Sequence, residues 1–408
     1  MLNDPACQIP ALNISLPINK QSEHLEGPIF NLMKLFGPIY ILLIIFTVSC
    51  TARQFPPSDP EASMETVNLY YNLQKLTGRG YLVGHQDALA YGVHWKYKAG
   101  KSDIMEVTGD YPALYGWELG DLELGAALNL DSVPFDKMKA YIRQGYERGG
   151  VITLSWHANN PMTGKNAWDA APGSVAAVLP GGVKHQTFVK QLDRVAAFLA
   201  GLKGAKGEAI PVLFRPFHEL TGTWFWWGIK GCSPDEYKSL FRFTVDYLRK
   251  KKQLHNLLIV YNTANEFKSK DEFLLRYPGD EYADIISFDI YQHVKQGAGD
   301  SFISNLKFNL TVIDELAAER KKVAAIGELG FNQIPDPEWF TNSLYTTFRG
   351  HRLAYILLWR NAGYKSKEKE MEYYAPYKGH AAAADFFKFY RMPETIFEKE
   401  AASMQLYK

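Results

Sequence analysis

The chain has 408 residues, 47% hydrophobic and 22% charged, which is ample for one large barrel or for two or three ordinary domains. Its 45 basic and 44 acidic residues leave a net charge of +1 with no long block of one sign, which excludes an electrostatic footprint for nucleic acid. Aromatics are in excess at 14%, with 24 Tyr, 24 Phe and 9 Trp, a composition suited to stacking on something planar.

In chain order, residues 33–50 read MKLFGPIYILLIIFTVSC: a Met-Lys start, an apolar run from Leu35 to Val48, then Ser49-Cys50. The run is short for a bilayer span but suits the h-region of a signal peptide. It resembles a bacterial lipoprotein signal, in which the Cys is acylated and becomes the mature N-terminus. Residues 1–32 then lie upstream of the start at Met33. The expected setting is a secreted lipoprotein of a Gram-negative bacterium, periplasmic or associated with the outer membrane, held to the membrane only through Cys50. Residues 51–66, rich in Pro and Ser, read as an extended tether. With Cys7 upstream and Cys50 lipidated, Cys232 alone remains in the body; it can form no internal disulfide and reads as a bystander.

From residue 67 to 395 short apolar runs alternate with helical patterns. Eight runs are strand candidates, at 81–86, 113–119, 151–157, 212–219, 257–262, 284–291, 323–330 and 354–361. Helical spacing marks 135–150, ending on Gly149-Gly150, together with 185–204, 233–252 and 305–322. The third of these opens with Ser233, Pro234 and Glu236, a capping box. Eight strands interleaved with helices predict a parallel sheet closed into a (β/α)8 TIM barrel, an α/β fold with a single catalytic domain. No glycine-rich phosphate loop follows an early strand, which weighs against an open doubly wound sheet. Residues 396–408 read as a C-terminal tail.

Barrel enzymes work at the C-terminal ends of their strands. These ends carry His85, Glu118, His157, His218-Glu219, Asn262, Asp289-Tyr291, Glu328 and Trp359-Arg360. Any one polar terminus fits a satisfied core residue; eight in succession fit that reading badly. Glu219 ends the fourth strand and Glu328 the seventh, so the two carboxylates can face each other across the barrel mouth. Opposed carboxylates are what glycosidic cleavage requires, one protonating the leaving oxygen while the other attacks or stabilises the anomeric carbon. Arg215 is placed to pair with Glu328. His218 and the Trp224 indole are expected to dry the surroundings of Glu219 and raise its pKa. Glu118, Glu123, Glu266 and Asp289 are competing carboxylates.

The stretch RPFHELTGTWFWWG (215–228), the downstream GELG, and SWH, DIYQ and LLWRN at strand ends resemble glycoside hydrolase family 26, chiefly β-mannanases. The resemblance covers roughly residues 67–395 and implies a clan of (β/α)8 barrels with the acid/base on strand four and the nucleophile on strand seven. It makes Glu219 the acid/base and Glu328 the nucleophile of a retaining mechanism, with the carboxyls about 5–5.5 Å apart. It assigns His157, His218, Trp224, Tyr291 and Trp359 to the subsites flanking the bond, and Arg360 to the next sugar on the glycone side. Tyr291 is expected to hydrogen-bond the nucleophile, Trp359 to underlie the sugar, and at least one of Trp226 and Trp227 to pack as core while Trp224 faces the cleft.

The expected reaction is cleavage of β-1,4-mannosidic bonds in mannan, glucomannan or galactomannan, with mannobiose among the products. The partner is β-mannan or manno-oligosaccharide, and no cofactor is implied. The histidines sit on different strands without HxH spacing, so no metal site is expected. Alternatives within the family are action on mixed-linkage β-glucan or β-1,3-xylan. A non-catalytic polysaccharide-binding lipoprotein would keep the tryptophans but has no need of two opposed glutamates. The third connection, 159–186, is the segment expected to form a cleft wall or lid.

Overall fold

A computed structural model describes residues 54–294 and 301–408; the expected signal at 33–50, its Cys50 and the upstream 1–32 lie outside the described residues. All eight strand candidates form strands: β1 Tyr81–Gln86, β2 Leu114–Glu118, β3 Val151–Trp156, β4 Val212–Pro216, β5 Leu257–Ala264, β6 Ile285–Gln292, β7 Val323–Phe331 and β8 Leu353–Leu358. Each pairs in parallel with the next, and β8 returns to β1 with Leu82 opposite Tyr355 and His85 opposite Leu358. The ring is therefore closed, the expected (β/α)8 barrel. Nearly every strand residue is buried, which is why these runs are apolar throughout rather than alternating.

The outer layer follows the helical patterns. α1 Met64–Leu76 precedes the barrel, and α2 Phe135–Glu147, α3 His185–Ala200, α4 Pro234–Asp246 and α5 Phe302–Arg320 lie between strands. α2 buries Phe135, Met138, Ile142 and Gly145, one stripe of its surface. At the start of α4, Ser233 Oγ accepts from the Glu236 N–H while the Glu236 carboxylate accepts from the Ser233 N–H. Such a cap contributes about 1 kcal/mol. Among the described residues, no helix is long and apolar enough to cross a membrane.

Packing extends past both ends of 67–395. The stretch expected as a free tether is strapped to the barrel from residue 54: Gln54 donates to the Tyr71 carbonyl, the Phe55 N–H to Gln74, and Asp59 pairs with His255 at 3.0 Å. α1 then lays Leu69, Leu73 and Leu76 into the same apolar cluster as Leu82, Leu213, Leu258 and Ala325. Its Tyr70 hydroxyl reaches the carbonyl of Asp284, just before β6, so α1 plugs the N-terminal end of the barrel. The expected tail is likewise built in. Thr395–Ile396 pairs with β1, a helix follows at Glu398–Met404, and Tyr407 donates to the Gly150 carbonyl at 2.8 Å.

Candidate active site

The fourth strand ends abruptly. β4 stops at Pro216, after which Phe217 and Glu219 both adopt left-handed backbone, φ +52° and +53°. Non-glycine residues rarely do this, and such strain persists only where neighbours enforce it. Here they do. The Tyr237 hydroxyl holds the Phe217 carbonyl at 3.0 Å, the Trp227 indole holds that of His218 at 2.8 Å, and the Glu219 N–H donates to the Asn262 carbonyl at 2.9 Å. The seventh strand is irregular too. Ile326 pairs with Phe288 and Glu328 with Asp289, leaving Gly327 as an unpaired bulge residue. A Cβ at Gly327 would fall 1.9 Å from Asn262 Oδ1 and 2.6 Å from Asp289 Oδ1. Only glycine lets the β7 backbone pass this close, and the bulge swings Glu328 inward.

Glu328 is buried and accepts two bonds, from Arg215 Nη2 at 2.6 Å and from the Tyr291 hydroxyl at 2.7 Å. Arg215 also reaches Asp289 at 3.3 Å, so one guanidinium bridges two carboxyls. Glu219 keeps an open edge and accepts from Trp224 Nε1 at 2.7 Å. Its pKa is raised to about 7, by burial first and by the negative charge of Glu328 second. The Trp224 hydrogen bond acts the other way, favouring the charged form. The expected dry setting is thus the larger cause of the rise and the charge of Glu328 the second, while the indole N–H itself works against both.

The histidines meet although their strands differ. His157 Nδ1 lies 2.9 Å from buried Glu118, and His157 Nε2 lies 3.2 Å from His218 Nε2. Burial pulls the pKa of His157 down, but the Glu118 carboxylate outweighs it and the net shift is upward. Glu118, conversely, is held down at about 2 by His157 despite its burial. Burial, then the charges of His157 and Arg215, push His218 well below the ordinary histidine value. A charged His157 donating from both nitrogens to Glu118 and to a neutral His218 satisfies all three shifts. Glu118 is thus the anchor of His157 rather than a competing nucleophile.

The aromatic residues divide by exposure. Trp226 and Trp227 are fully buried, their indoles bonded to the carbonyls of Ala158 and His218, while Trp224 is half-buried in the cleft. Trp359 and Arg360 follow β8 and are partly exposed. Arg360 is already engaged: it forms ion pairs with Asp131 and, at 2.7 Å, with Glu372. Sequence reasoning missed Asp131 and Glu372, and it missed Trp168. That residue is 47% exposed in the 159–186 connection and stacks on His157 with centroids 5.2 Å apart. An indole in a Gly-, Asn- and Pro-rich loop was the available signal. His85 is buried near the C-terminal end of β1, beside Asn361 and the Trp359 backbone, and burial lowers its pKa to about 4. Glu123 is buried under the Asn159 amides, and Glu266 is exposed. Cys232 packs its thiol near Arg276, and burial raises its pKa to about 11, so it stays a thiol.

Among the described residues, His218, Asp289 and Glu328 offer ligand atoms within 4.8 Å of one another. Arg215 already occupies the cationic position there, bonded to both carboxylates, and a metal ion would have to displace or repel it. The donor set suits a guanidinium, not a metal.

The sequence model of Glycosyl hydrolase family 26 matches residues 58–372. A mannan endo-1,4-β-mannosidase of Bifidobacterium adolescentis is 34% identical over 351 residues, covering 81% of this chain and 34% of that protein. Another from Thermothelomyces thermophilus is 30% identical, covering 68% of this chain and 53% of its own length. The chain thus spans about a third and about half of these relatives. A solved GH26 β-mannanase from Bacteroides ovatus superposes with a TM-score of 0.80 at 42% identity, over 85% of this chain and 98% of that one.

Proposed function

Because the chain belongs to glycosyl hydrolase family 26, we propose that it is a retaining mannan endo-1,4-β-mannosidase acting on mannan, glucomannan or galactomannan. The observation that carries this reading is the unequal pair of carboxyls. Glu219 retains a proton near neutral pH at an open edge, while Glu328 lies deeper with a donor on each oxygen.

Glu328 attacks the anomeric carbon as Glu219 protonates the departing oxygen, giving a covalent mannosyl-enzyme ester. Forming that ester removes the negative charge of Glu328, and with it one of the two influences that hold the proton on Glu219. The pKa of Glu219 then falls, and the same carboxyl becomes the base that takes a proton from the incoming water. Arg215 and Tyr291 orient the nucleophile. The His157–His218 pair braces the catalytic carboxyls, with His218 Nε2 3.8 Å from Glu328, and Trp224, Trp359 and Trp168 supply ring faces on which a pyranose stacks.

Incubation with mannan, mixed-linkage β-glucan and β-1,3-xylan, with proton NMR of the first-formed anomer, tests the proposal. New reducing ends from mannan alone, appearing first as the β-anomer, support it; α-anomer, or no cleavage of mannan, overturns it. On the sequence of residues 33–50 we further propose that Cys50 carries a lipid anchor; incorporation of labelled palmitate that is lost in Cys50→Ala tests this.

A further inference from the structure

At the end of the barrel opposite the cleft, a cavity of about 350 Å³ opens between the turn entering β1 and the turn entering β8. Its walls carry three arginines, Arg79, Arg349 and Arg352, all exposed and none in an ion pair among the described residues. Both turns pass through left-handed glycines, Gly78 and Gly350 (each φ +86°), and both contribute arginines to the same lining. A Cβ on Gly78 would lie 3.4 Å from Arg352 Nη1. The one carboxylate in the lining, Glu394, already accepts a hydrogen bond from the Tyr345 hydroxyl. His351 is likewise committed, its Nδ1 lying 2.6 Å from Asp314.

A second observation points to a ligand. Tyr81 lines the cavity, is only 4% exposed, and its hydroxyl has no hydrogen-bond partner. The ring is fixed edge-on against Phe348 at 5.4 Å, and Tyr345, Phe348 and Glu394 share the cavity lining with it. A buried hydroxyl left unbonded is destabilising, so a donor or acceptor arriving in the cavity relieves that cost.

We propose that this cavity is a binding site for a phosphate monoester on a small polyol. Three guanidinium groups against one carboxylate give a lining charge of +2, matching the charge of about −2 on such a group. Arginine forks fit phosphate oxygens in pairs, and the volume falls at the lower end of the range of about 300–1,000 Å³ for small-ligand sites. Glu394 and the Tyr81 hydroxyl then meet the polyol hydroxyls. The phosphate monoester is offered both by soluble glycerol phosphate, with its hydroxyls free, and by the headgroup of a phosphatidic acid membrane, whose glycerol hydroxyls are esterified so that the arginines read the phosphate alone. The second source fits the placement of the chain entry: Gln54 and Phe55 are bonded to Tyr71 and Gln74, within two turns of Gly78.

The test uses the full chain at about 150 mM salt, where loose surface attraction is screened. Glycerol 3-phosphate is titrated calorimetrically, and co-sedimentation is measured with phosphatidylcholine vesicles with and without phosphatidic acid. The double variant Arg349→Gln, Arg352→Gln should bind about tenfold or more weakly, with mannan hydrolysis unchanged. Tyr81→Phe should also weaken binding while its thermal midpoint holds or rises. Binding of glycerol 3-phosphate alone assigns a soluble ligand; arginine-dependent binding of phosphatidic acid vesicles alone assigns a lipid. No binding of either probe, or equal binding by the wild type and the double variant, overturns the site.

Discussion

Replacing Trp224 by Phe separates two roles that the same indole plays. The ring that stacks on a sugar is kept, and the Nε1–H that donates to Glu219 at 2.7 Å is lost. That donor stabilises the charged carboxylate. A hydrogen bond to an ionised group contributes roughly 1.5–3 kcal/mol, and one pKa unit corresponds to about 1.36 kcal/mol. The pKa of Glu219 should therefore climb from about 7 by one to two units, nearer one because water can reach its open edge. Glu219 works in its protonated form as the acid, so the basic limb of kcat/KM should move to higher pH by the same amount. Initial rates on a soluble galactomannan from pH 4 to 10 give the limb directly. A limb that stays in place or moves to lower pH would refute the assignment of Trp224 as a counterweight to burial and to Glu328. Trp224→Ala is the control: by admitting water it should partly cancel the upward shift and raise KM.

Four further outcomes follow from the same geometry. Glu328→Gln should lower kcat by about 10⁴-fold or more with the thermal midpoint retained, and a folded variant that keeps kcat within about 100-fold of the wild type would remove it as nucleophile. Glu219→Gln should raise the thermal midpoint at pH 8 more than at pH 5. The native carboxyl holds its proton up to about pH 7 while the unfolded one releases it near 4.5, so wild-type stability is lost as pH rises through that window, by at most about 3 kcal/mol. Glu118→Gln strips the counter-ion from His157 and should destabilise by about 3 kcal/mol in denaturant titration, with KM raised as the His157–His218 contact loosens. Trp168→Ala should leave stability unchanged and raise KM for polysaccharide, because nearly half of that side chain faces solvent.

The barrel was legible because a sheet covered on both faces writes each strand as an uninterrupted apolar run, and each run ends where a polar residue meets the cleft. Glu219, Glu328, Arg215 and Tyr291 were legible for the same reason, since each sits at or near a strand end. What escaped the sequence was set by contacts distant in the chain. The bulge at Gly327 follows from Asn262 and Asp289, and the left-handed turn at Glu219 from Tyr237, Trp227 and Asn262. The tie of Arg360 to Asp131 spans 229 positions, and no local pattern encodes it. The Pro-rich stretch after residue 53 read as a tether because proline and serine signal extended chain. They say nothing of whether that chain is bonded to its neighbour, and Asp59 is, to His255.

Of the four carboxyls gathered around Arg215 and His157, only one can carry a mobile proton to a substrate. Glu118 is fully buried and its charge is locked to His157. Burial and the charge of Glu328 push the pKa of Asp289 well up, yet it is 2% exposed and lies under Arg215, so no leaving group reaches it. Glu328 has a donor on each oxygen and little open surface. Among these four, Glu219 alone combines a raised pKa with an exposed edge, and the strained turn that follows β4 is what creates this combination. An ordinary extended residue there would point either into the barrel, where Asp289 lies, or outward beneath the helices. The left-handed backbone at Phe217 and Glu219 instead turns the carboxyl over the rim, close enough to Glu328 to feel its charge and open enough to meet a sugar.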